Sequence, residues 1–115
     1  MKVTHRPGEY QAVIGEGLRI PLIVSRVPEF QEPVRLDLVP SEEQKDSISA
    51  EPISLSAGES EVAMQVHIGD NHQIEGEQKL LIRATAYQNG KWLVKSETTV
   101  AIELRRNDGG LTERE

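Results

Sequence analysis

The sequence predicts an all-β domain, a two-sheet antiparallel β-sandwich of about seven strands. Apolar and polar residues alternate with a period of two along most of the 115 residues, the signature of strands with one buried face. Clusters of Gly, Pro, Asn, Asp and Ser punctuate those stretches at short intervals. Helical periodicity is missing, and "SEEQK" (residues 41–45) has room for a single helical turn.

Taken in order, "EYQAVI" puts Tyr10, Ala12 and Ile14 on one face, and "LRIPLIV" does the same with Leu18, Ile20, Leu22 and Val24. Pro21 interrupts the donors of that second strand, so a strand start, an edge or a bulge is expected there. "PVRLDLV" sets Val34, Leu36 and Leu38 against Arg35 and Asp37. "SISAEPISL" offers Ile48 and Ala50, a break at Pro52, then Ile53 and Leu55. "EVAMQVHI" alternates Val62, Met64, Val66 and Ile68 with Glu61, Gln65 and His67. The last two strands follow: "KLLIRATAY", with Leu80, Ile82, Ala84 and Ala86, and "KWLVKSETTVAIEL", with Trp92, Val94, Val100, Ile102 and Leu104. The domain is expected over residues 1–104, with 105–115 a polar flexible tail or linker.

The connection "YQNGKW" is decided by which faces it brings together. A two-residue Asn89-Gly90 turn would set Leu80, Ile82, Ala84 and Ala86 beside Leu93, Lys95 and Glu97, turning two charges toward the core. A three-residue loop, Gln88-Asn89-Gly90, with Gly90 in the left-handed region, sets Ala86 opposite Trp92 and Ala84 opposite Val94. It leaves Arg83 facing Lys95, with Glu97 diagonal to Arg83, at a cost of at most ~1 kcal/mol. Burying a large side chain is worth roughly 1.5–3 kcal/mol, so the three-residue loop is expected. It predicts a buried Trp92 against Ala84 and Ala86, whose truncation to alanine would cost ~3–5 kcal/mol.

Composition narrows the function classes. With a net charge of −6 and a pI near 5.1, the surface repels phosphate backbones, and no nucleic-acid partner is expected. The longest apolar run, "IPLIV" (Ile20 to Val24), is far short of the ~20 residues of a membrane-spanning helix, so no membrane insertion is expected. No basic-then-apolar leader follows Met1, and a secretory signal is not expected within this chain. The chain has no cysteine, which removes thiolate metal sites, thiol nucleophiles and disulfides. Four aromatic residues (one Trp, two Tyr, one Phe) leave little for stacking platforms.

No constellation carries chemistry. His5, His67 and His72 are far apart, without metal-site spacing, and read as surface histidines. "GDNHQIEGE" gathers Asp70, Asn71, Glu75 and Glu77, oxygen donors that suit calcium, but Ile74 stands where a helical calcium loop wants a ligand. A polar inter-strand loop is the plainer reading of residues 69–77. Glu42, Glu43 and Asp46 lie in a turn with no apolar pocket to raise a carboxyl pKa. Hence no catalytic residue, metal or cofactor is expected, and the binding residues are unassigned.

The order of signals resembles bacterial immunoglobulin-like or fibronectin type III-like modules of large secreted and surface proteins. The likeness rests on a strand ending in Arg26, an aromatic turn at Phe30, the "PV.L.L" strand Pro33 to Leu38, the "I.L..G" turn Ile53 to Gly58, and the hairpin Gly76 to Gly90. It covers about Leu18 to Leu104, without the immunoglobulin cysteine pair. The resemblance implies a non-enzymatic module of an exported or cell-envelope protein, a spacer or protein-interaction domain. Its partners would be neighbouring domains of the parent or another protein. Two other readings compete: a carbohydrate-binding module, and a small intracellular subunit that pairs through an edge strand.

Overall fold

A computed structural model describes residues 1–26, 32–88 and 90–106, the side chains of His72 and Gln88 aside. Among these residues nine strands form, and the only helical element is a 3₁₀ turn at His72–Ile74. The strands are β1 (Lys2–His5), β2 (Tyr10–Val13), β3 (Gly17–Ser25), β4 (Val34–Val39), β5 (Ile48–Ala50), β6 (Ile53–Leu55), β7 (Glu61–Ile68), β8 (Gly76–Gln88) and β9 (Trp92–Arg105). One sheet has the order β1-β3-β7-β5 and the other β2-β9-β8-β4-β6. The all-β class expected from the alternation is observed, with nine strands in place of seven.

The two extra strands have separate causes. β1 contributes a single core residue, Val3, too little to show as a pattern. The "SISAEPISL" stretch is two strands, because the chain changes sheets at Glu51-Pro52: β5 pairs with β7, whereas β6 pairs with β4. A second change of sheet lies at Arg6–Glu9, around Pro7 and Gly8. β1 pairs antiparallel with β3, and β2 then pairs parallel with β9. This parallel pair departs from an all-antiparallel arrangement, and it follows from the chain keeping its direction as it crosses from one sheet to the other.

Pro21 sits inside β3, an interior strand, where it pairs with Ala63 of β7. It is tolerated because β1 ends one residue away, at His5 opposite Leu22. The Arg6 amide still donates to the Pro21 carbonyl at 3.2 Å, so the side of Pro21 that lacks a donor faces the end of β1. The Arg6 carbonyl is left to accept from the Tyr10 hydroxyl and faces His5 Nδ1 at 3.0 Å. Tyr10 is therefore half-buried, whereas Ala12 and Ile14, expected on the same face, are buried.

Both sheets turn their apolar residues onto one core. Ile20, Leu22 and Val24 of β3, Met64, Val66 and Ile68 of β7, Val34 and Leu36 of β4, Leu80, Ile82 and Ala84 of β8, and Val100, Ile102 and Leu104 of β9 belong to it. Among the described residues, one polar side chain shares this interior. Gln44, 4% exposed, sits in the turn after β4. Its Oε1 accepts from the Ser41 amide at 3.1 Å, and its Nε2 donates to Gln78 Oε1 at 2.9 Å and to the Lys79 carbonyl at 3.1 Å. Gln78 Nε2 continues the chain to the Ile74 carbonyl at 3.1 Å. This run of amides ties the turn to the start of β8 at one end of the molecule.

Arg26 does similar work at the other end. Its guanidinium donates to the carbonyls of Glu32 (2.8 Å), Ser56 (2.9 Å) and Glu59, joining the chain before β4 to the β6–β7 turn. Phe30, expected in an aromatic turn here, lies outside the described residues. β9 runs on to Arg105, which pairs with Val13, one residue beyond the expected domain boundary. Of the expected tail, 105–115, residues 107–115 also lie outside the described residues.

Two stability predictions follow from these positions. Gln44→Leu should destabilise by about 1–3 kcal/mol, because the Ser41 N–H loses its acceptor, and Gln78 Oε1 and the Lys79 carbonyl lose their donor, in a buried place. Denaturant unfolding checks it, and a neutral substitution would mean that water takes over the bonds. Gly90 has φ +71° with nothing within 4 Å of an added Cβ. Gly90→Ala should therefore lower stability by the backbone cost alone, about 1–2 kcal/mol, and Gly90→Asn by less.

Candidate functional site

The β8–β9 hairpin is the longest element and sets the exposed chemistry of the molecule. Its ladder runs from Gly76 opposite Leu104 to Gln88 opposite Trp92, so three residues separate the two strands. A three-residue loop was expected, but at residues 88–90. The observed register is displaced by two residues along the outgoing strand: Ala86 faces Val94, Ala84 faces Ser96 and Ile82 faces Thr98. The Gly90 amide donates to the Tyr87 carbonyl at 3.4 Å, with Gly90 left-handed as expected.

Both registers keep the same residues inside, so the balance between them rests on smaller terms. The observed one sets Arg83 directly opposite Glu97, with Nε 2.7 Å from Oε2, in place of the like-charge pair with Lys95. It also sets Leu80 opposite Val100 and Tyr87 opposite Leu93. Cross-strand pairs of these kinds contribute roughly 0.2–1 kcal/mol each. A displacement that gains several of them is favoured without any face being turned over.

Trp92 is the residue whose surroundings change. The expectation of a buried indole is not met: Trp92 is 65% exposed. The opposing sheet stops short of it. Val3 of β1 donates its amide to Ser96 Oγ at 3.1 Å, and Lys2 and Ser25 pair at the last position of the β1–β3 ladder. Val94, two residues further out, is half-buried, with Met1 also packed on the core. Trp92 lies two residues beyond that, on the inward-facing side of a hairpin that has outrun its partner sheet.

The tip carries three large apolar side chains in the open: Trp92, Tyr87 (56% exposed) and Leu93 (50% exposed). No other large hydrophobic side chain among the described residues is exposed. Tyr87 and Leu93 form a cross-strand pair on one face of the ribbon, and Trp92 stands on the other. Beside Tyr87 a shallow groove of about 560 Å³ is lined by Pro33, Arg35, Asp37, Thr85 and Gly90 among others. Arg35 is held there by Asp37, 3.0 Å away. Lys91 and Lys95 flank the aromatic residues, exposed and without an ion-pair partner among the described residues.

The other candidates from the sequence do not converge. His5 meets the Tyr10 ring edge-on at 5.8 Å, while His67 is exposed on β7, opposite Gly17. The backbone of His72 is in the 3₁₀ turn, and its side chain is outside the described residues. In the loop 69–77, Asn71 donates to Ser47 Oγ at 2.8 Å and accepts from the Gln73 amide at 3.0 Å. Glu75 pairs with Arg106 at 3.3 Å, Glu77 faces Glu103 across β8 and β9, and Glu42 pairs with Lys45. Among the described residues, no three His, Asp or Glu side chains are placed to share a metal ion.

No known protein family matches the chain, and no curated protein matches it in sequence.

With the indole outside, Trp92→Ala should leave stability within about 0.5 kcal/mol of the unsubstituted protein, the usual range for surface changes. Tryptophan emission should lie close to that of indole in water and be readily quenched by acrylamide. A blue-shifted, protected emission together with a loss of several kcal/mol would restore the buried register.

Proposed function

We propose that this chain is a non-catalytic immunoglobulin-like module of a larger exported or cell-envelope bacterial protein, and that it contacts another protein through the β8–β9 tip. The exposed trio Tyr87, Trp92 and Leu93 carries this reading. Exposed apolar groups that recur as a cluster, rather than singly, mark interaction surfaces, and Trp and Tyr are the residue types that dominate contact energy.

The immunoglobulin-like part of the reading is supported by the strand order. Strands that change sheets close both sides of the core, and β2 runs parallel to the last strand. The sequence resemblance carried by Arg26, the Pro33–Leu38 strand and the Ile53–Gly58 turn points the same way. Lys2 pairs with Ser25 at the tip end, whereas Arg105 pairs with Val13 at the opposite end. A module with its two chain ends so placed can be strung in line between neighbours, which fits a spacer as well. Sugar binding is less favoured, because Tyr87 and Trp92 stand on opposite faces of the ribbon and build no shared stacking platform.

Placing a photo-crosslinking amino acid at Leu93 of the parent protein tests this. Position-specific adducts with an identifiable protein are expected at 93 and not at Thr99, which is exposed on the same strand. Equal labelling at both positions, or none at 93, would count against the tip as the contact element.

A further inference from the structure

We draw no further inference here: the strongest candidate, the open groove beside Tyr87 between Pro33, Arg35 and Gly90 at the β8–β9 tip, belongs to the surface already described, and nothing in the structure shows what covers it.

Discussion

The β8–β9 ladder is the constraint from which the other features follow. It fixes which residues of both strands face the core, and β4 and β2 take their positions from its two edges. It also decides how far the hairpin extends beyond the opposing sheet. The Arg83–Glu97 pair at 2.7 Å marks the register, although an ion pair this exposed contributes only a few tenths of a kcal/mol to stability. Its importance is discriminating. Two registers of equal parity bury the same face, and small cross-strand terms then determine whether Trp92 lies beside the alanines or past them.

Closure of the core at its sides depends on a second device, the strand that leaves one sheet for the other. Pro7 and Pro52 lie at these crossings. Each lacks an amide proton, so each occupies a place where a ladder must stop in any case. The crossings leave short edge strands, β1, β2, β5 and β6, none longer than four residues. Short edges offer little unpaired backbone for another chain to extend. This weighs against the reading in which the chain pairs through an edge strand.

Much of this architecture was legible in the sequence because period-two alternation reports burial directly. The even-numbered faces of β3, β7 and β8, the break at Pro52, the left-handed Gly90 and the outward His67 all follow from it. β1 escaped because a four-residue strand with one buried valine has no period to detect. The parallel β2–β9 pair escaped because alternation is blind to strand direction. Trp92 was misplaced for a different reason. The face assignment was sound, but a face continues along a strand whether or not a second sheet lies above it, and the length of the opposing sheet is not written in the hairpin. The cross-strand partners held a usable signal. Moving the register by two removes the Arg83–Lys95 clash, pairs Leu80 with Val100 and sends Trp92 outward.

A tryptophan placed beyond the end of the opposing sheet is free of the packing demands that fix the rest of the inward stripe. Val94, Ala86 and Ala84 are constrained by what covers them, whereas Trp92 is 65% exposed. Stability therefore gives no reason for a large aromatic side chain at residue 92, or for Tyr87 and Leu93 paired on the reverse face; a polar tip would close the same loop around Gly90. An exposed indole adds apolar surface that invites association, a cost to solubility that a polar residue would avoid. The Lys91 and Lys95 charges beside it restrict which surfaces can approach, through like-charge repulsion from basic ones. One hairpin thus divides in two, with the ladder from Gly76 to Ala86 serving the core and the large side chains beyond it left in the open.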